Sequence, residues 1–271
     1  MQPQGGPQPI SLPNIRSIIA IASGKGGVGK STVAANLALA LRHGGARVGL
    51  MDADIYGPSI PLMMGVGRID PQTTPFPLVR HGLKVMSMGF VLGDDQAAVL
   101  RGPMIHRYIV AFLSQIDWGD LDYLLIDMPP GTGDAQLSLA QTAPLRGALT
   151  VVTPQDLSLT VARRGLEMFR KVRVPLLGIV ENMSYFVGDD GRRYEIFRSG
   201  GGRKLAAEVG VPFLGEIPID PRVAECGDQG EPVVVKYPDS PVARAYAALA
   251  VAVGDAVRKG GGDDELPEAQ L

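Results

Sequence analysis

The chain has 271 residues, enough for one well-buried α/β core, and 45% of them are apolar, which excludes disorder of the whole chain. A formal net charge of −2 gives no electrostatic case for nucleic acid or an anionic membrane as main partner, and no apolar run approaches the roughly 18 residues that span a bilayer. The single cysteine, Cys226, excludes an intrachain disulfide, and the N-terminus lacks the basic start and apolar run of a signal peptide, so the cytoplasm is the expected compartment.

Residues 1–14, rich in Pro, Gly and Gln, read as a flexible leader. A buried strand is predicted over Ser17 to Ala22 and a helix over Lys30 to Arg42, stopped by His43-Gly44-Gly45. A short strand, Val48 to Met51, runs into Asp52-Ala53-Asp54. Ile55 to Pro77 is too rich in Pro, Gly and Met for a long regular element, and the Met63-Met64 pair reads as core. Further strands are expected over Leu83 to Ser87, Tyr123 to Ile126, Ala148 to Val152, Leu177 to Val180 and Phe213 to Ile217. Helices are expected over Met104 to Gln115, Ala135 to Gln141, Ser158 to Val172, Arg203 to Val209 and Pro241 to Val257. The alternation predicts an α/β fold, a mostly parallel sheet with helices on both faces. Residues 15–258 then form one domain, and 259–271 a disordered acidic tail.

The chemistry centres on Gly24, Lys25, Gly26, Gly27, Val28, Gly29, Lys30 and Ser31, followed by Thr32. They satisfy the phosphate-loop pattern G-x-x-x-x-G-K-[ST] between an apolar strand and a helix. Glycines let backbone N–H groups approach an anion, and the helix start aims its positive end at it. Lys30 reaches the β- and γ-phosphates of a nucleotide, and the Ser31 hydroxyl ligates Mg²⁺. About a hundred residues on, Leu124-Leu125-Ile126 ends in Asp127, the Walker-B arrangement for holding Mg²⁺. Gly131 and Gly133 follow and free the backbone to donate to a γ-phosphate. Asp52 and Asp54 form a carboxylate pair at a strand end, where α/β sheets bind ligands; the plainer reading is turn and cap carboxylates. Asn182 offers an amide able to pair with adenine, and Pro218 to Pro221, with Asp220, a surface for the purine face; by themselves these read as loop residues.

Lys25, a second lysine in the loop, makes the stretch resemble the deviant Walker A phosphate-loop NTPases, the group containing MinD, ParA, the arsenite-efflux ATPase and nitrogenase iron protein. The resemblance implies that Lys25 enters the partner subunit's nucleotide site. DADIYGPSIP, LLIDMPPGTGD, ENMSYF and IPIDPRV follow in that order. They are similar to motifs of the Mrp/ApbC family, ATPases associated with carrying iron–sulfur clusters. The similarity runs from about Ile18 to Tyr246. It implies a homodimer, ATP and Mg²⁺ as cofactors, slow hydrolysis, and transfer of a [4Fe–4S] cluster between scaffold and apo-protein clients. It also implies that Asp54 orients the attacking water and that Asp52 lies near Mg²⁺.

The family's cluster-binding members carry Cys-x-x-Cys shortly after the NMSY segment. Here Gly188-Asp189-Asp190-Gly191 stands in that place, with glycine at both cysteine positions. Aspartates are hard oxygen ligands and poor substitutes for thiolate, and Cys226 lies elsewhere and reads as a packed thiol. The chain alone is therefore expected not to hold a stable [4Fe–4S] cluster. Two rival readings are a non-catalytic, ATP-dependent adaptor and a MinD- or ParA-like positioning ATPase. The acidic, glycine-rich tail argues against the second, which needs a basic amphipathic tail or DNA-binding patch.

Overall fold

The run Ile18-Ile19-Ala20-Ile21 is apolar without alternation, as a strand covered on both faces must be. It lies in β1 (Ile15–Ser23), central in an eight-stranded sheet. The computed structural model describes residues 10–67, 69–70, 76–91, 102–131 and 133–260. β1 pairs in parallel with β5 (Leu121–Asp127) and β6 (Gly147–Val152). Beyond β5 lie β2 (Val48–Asp52), β4 (Leu83–Ser87) and β3 (Leu78–Arg80); beyond β6 lie β7 (Leu176–Glu181) and β10 (Phe213–Glu216). Among the described strands of this sheet, β3 alone runs antiparallel, at the edge. The expected mostly parallel α/β sheet is borne out.

α1 (Lys30–His43) and α9 (Pro241–Lys259) pack on each other over one face. α3 (Gly102–Ser114) packs on α4 (Asp134–Thr142), and α5 (Asp156–Lys171) on α6 (Gly201–Val209). Ser240 caps α9 by accepting from the Ala243 N–H at 3.2 Å, and Pro241 occupies the first turn, where no N–H is missed.

Short elements escaped the sequence pattern. α2 (Ile60–Met63), α7 (Pro221–Asp228), α8 (Val233–Lys236) and the hairpin β8 (Phe186–Val187) with β9 (Arg193–Tyr194) are too brief for a hydrophobic period to register. The methionine pair divides: Met64 is buried, while Met63 lines a cavity. Of the expected leader, residues 10–14 pack on the domain, with Ile10 N–H donating to Thr142 O at 3.1 Å. Residues 1–9 and most of the expected tail, 261–271, lie outside the described residues.

Candidate functional site

β1 delivers the chain into residues 24–29 at the carboxyl edge of the sheet, where its neighbours on the two sides are strands from opposite directions of the order. Close packing dictates two of the glycines. A Cβ on Gly24 would lie 2.5 Å from the Ala162 nitrogen of α5. One on Gly29, whose φ is +78°, would lie 2.3 Å from the Asn182 amide nitrogen. Gly26 and Gly27 face open space. α1 then starts with no side-chain cap and no acidic residue in its first turn, so its free N–H groups point at the loop's hollow.

Under that hollow sit three carboxylates, Asp52 and Asp127 at the ends of two neighbouring strands, in register with each other, and Asp54 just past β2. Lys30 Nζ donates to Asp127 Oδ1 at 2.6 Å and lies 3.9 Å from Asp54. The Ser31 hydroxyl donates to the other Asp127 oxygen at 2.5 Å. Asp52 is fully buried and accepts from Asp54 N–H, Ile60 N–H and the Ser87 hydroxyl. Burial, then the charge of Asp127, pushes the Asp52 carboxyl up to about 8. Burial also raises Asp127, opposed by the charge and hydrogen bonds of Lys30 and Ser31. A divalent cation would relieve this crowding of negative charge. Mg²⁺ normally takes one or two carboxylates, phosphate oxygens and water. Ser31 and Asp127, with Asp52 behind them, suit that demand. No group of three or more His, Cys, Asp or Glu side chains is arranged as an all-protein metal cage among the described residues.

Beside the loop opens an apolar cavity of about 540 Å³, a size that takes a small organic ligand. Gly29, Thr32, Asn182, Pro218 and Asp220, all singled out in the sequence, line it. The Asn182 amide nitrogen donates to Val28 O at 2.9 Å, so this residue props the loop and leaves its oxygen for a ligand. Asp220 caps α7 through the Arg222 N–H and pairs with the Arg222 side chain at 2.6 Å; these bonds with Arg222 hold its carboxyl below the usual range. The Val28 side chain is buried under the loop. Lys25 is half-buried, and no carboxylate meets its ammonium among the described residues. Gly131, with φ +91°, binds Ser23 O through its N–H. The sequence did not single out Tyr246, whose buried hydroxyl has no partner among the described residues and which lines the cavity. Inside an apolar helix face it carried no signal beyond core.

Similarity to known proteins extends over nearly the whole chain. The description "ParA: NUBPL iron-transfer P-loop NTPase" matches residues 14–254. The chain belongs to this family. It is 52% identical to an iron–sulfur cluster carrier protein of Synechocystis sp., over 90% of this chain and 73% of that relative. The fold is similar to the nucleotide-binding protein of Archaeoglobus fulgidus in complex with ADP, with TM-score 0.73, 40% identity, and coverage of 86% of this chain and 93% of that one. It also resembles the septum site-determining protein MinD of Pyrococcus horikoshii, complexed with Mg-ADP: TM-score 0.71, 23% identity, 90% and 98% coverage. The resemblance read from the motifs is borne out.

Within the family's fold, the hairpin of this chain offers no sulfur. A Cβ on Gly188 would lie 2.8 Å from the Tyr194 ring and 2.9 Å from Asp190 Oδ1. Gly191 has φ +75°, a conformation side chains rarely adopt. Asp190 closes the turn, accepting from Arg192 N–H at 3.0 Å and the Tyr194 hydroxyl at 2.8 Å. Cys226 is buried in the core on α7, and burial raises its thiol. Both residue choice and turn geometry oppose a thiolate-held cluster here.

Proposed function

We propose that residues 15–258 form a single ATPase domain that works as a homodimer, binds Mg-ATP and hydrolyses it slowly. The observation that carries this reading is the Lys30–Asp127–Ser31 cluster lying beneath the uncapped start of α1 and next to an apolar cavity. The loop N–H groups of residues 24–29 and Lys30 hold the β- and γ-phosphates. The cavity takes the base, with the Asn182 oxygen facing its amine and Pro218 and Asp220 along its edge. Ser31 and Asp127 hold Mg²⁺, with Asp52 supporting them; the ion neutralises charge on the phosphate oxygens. Asp54, beside Lys30, orients a water for in-line attack on the γ-phosphorus, and the Gly131 N–H, bound to Ser23 O without nucleotide, turns to the γ-phosphate when the nucleotide enters. Lys25, which meets no carboxylate among the described residues, reaches the nucleotide of the second subunit.

The family points to iron–sulfur carriage. For this chain the cluster is cargo held with a cysteine-bearing scaffold or client, since its own hairpin supplies no thiolate. We place the protein in the cytoplasm, with neither nucleic acid nor membrane as partner; no helix among the described residues is long and apolar enough to cross a membrane. Phosphate release from Mg-ATP by the purified chain, absent in Lys30→Ala, tests the activity. Stable ATP binding with no phosphate release would replace it with the adaptor reading.

A further inference from the structure

The pole of the sheet opposite the phosphate loop holds a second cavity, of about 790 Å³. It lies where β1 and β6 begin and where α4 and α5 end. Arg16, Arg146, Lys171 and Arg173 line it, with no acidic residue among the described residues of its wall, over an apolar floor that includes Ile18 and Val174. Arg146 is half-buried, and among the described residues its buried Nε has no hydrogen-bond partner. An anion in the cleft supplies the acceptor that this nitrogen lacks. Arg16 also reaches Asp122, at 3.5 Å, which joins the cleft to the base of β5.

α9 ends at this same pole. Tyr246, early in the helix, lines the cavity beside the phosphate loop. Gly254, late in it, sits by the hydroxyl of Tyr123 near the start of β5, next to Asp122. The helix finishes at Lys259. Residues 261–271, GGDDELPEAQL, carry Asp263, Asp264, Glu265 and Glu268 and no cation. Such a length of chain reaches at most about 36 Å. Neighbouring strands are only about 4.8 Å apart, so β1 and β6 are within that reach. The negative end of α9 repels these acids from its own terminus. Residues 1–9, which precede Ile10 in the sequence, have no charged side chain with which to answer four cations.

We propose that the acidic segment 261–271 docks in this basic cleft, its carboxylates meeting Arg146, Lys171 and Arg173. The test titrates a fluorescent peptide of residues 260–271 into two full-length chains, followed by anisotropy. One is wild type; the other is D263N/D264N/E265Q/E268Q, whose own segment is neutral. The expected result is salt-sensitive binding to the neutralised chain and binding about tenfold weaker or less to wild type, where the cleft is already filled. Adding R146A/R173A to the neutralised chain abolishes binding. Lys171→Ala with Arg173→Ala, both at exposed positions, gives the same loss without touching half-buried Arg146. No binding to the neutralised chain, equal binding to both chains, or binding indifferent to the cleft substitutions overturns the proposal. So does equal protection of residues 145–146 and 171–174 from hydrogen exchange in both chains by inorganic tripolyphosphate, which makes this a small-anion site instead.

Discussion

Lys30 Nζ sits 2.6 Å from Asp127 Oδ1, and both groups are buried. Each is the other's counterion in the structure. In the proposed reading Mg-ATP would supply each with a new partner, so binding would exchange one set of ion pairs for another rather than create charges in a dry site.

Lys30→Ala removes the phosphate cation and leaves Asp127 unpaired. ATP affinity falls at least about tenfold, and the unliganded chain loses about 3 kcal/mol of stability, the cost of breaking a buried pair. Calorimetry and denaturant titration check both. Unchanged affinity would remove the loop from nucleotide binding.

Asp54 lies 3.9 Å from Lys30 and is slightly open to solvent, whereas Asp52 and Asp127 are closed off. Asp54→Asn keeps the shape and weakens the orientation of water. Hydrolysis drops about a hundredfold or more while ATP still binds. Loss of binding instead would assign Asp54 to the Mg²⁺ shell.

Lys25→Ala spares folding and ATP binding and reduces hydrolysis, because its ammonium meets no carboxylate among the described residues. Turnover equal to wild type, measured above the dimer dissociation constant, rejects a role across subunits.

Asp52 gives a pH signature. Its folded carboxyl ionises near 8, against about 4 in an unfolded chain. Between these values unfolding releases a proton, so stability falls as pH rises from about 4 to about 8 and then levels. Thermal midpoints without nucleotide or metal should show this slope, and Asp52→Asn should flatten it. Parallel curves for the two chains refute the raised carboxyl.

The hairpin prediction concerns cargo. After anaerobic reconstitution with iron and sulfide and desalting, the chain retains no stable four-iron cluster. Gly188→Cys with Gly191→Cys does not restore one, because Tyr194 and Asp190 occupy the space beside residue 188. Adding Tyr194→Ala opens that side. Near four irons per dimer in the wild type, lost in Cys226→Ser, would identify the buried thiol as a ligand.

The phosphate loop was legible because its residues are contiguous: strand, glycines and helix start lie in one run from Ile18 to Leu41. The parallel sheet was legible because doubly buried strands need unbroken apolar runs such as Leu124-Leu125-Ile126. The family followed from the order of further local motifs. Tertiary structure decided what depends on residues far apart in the chain. Strand register brought Asp127 to Lys30 across 97 positions and set Asp52 beside Asp127, where shared burial raises both carboxyls. Packing made Asn182 a prop beneath Val28 and Gly29, left the Tyr246 hydroxyl without a partner among the described residues at the cavity, and gathered Arg16, Arg146, Lys171 and Arg173 at the opposite pole. Burial and charge pairing depend on distances in space, and no local pattern of residues encodes those distances.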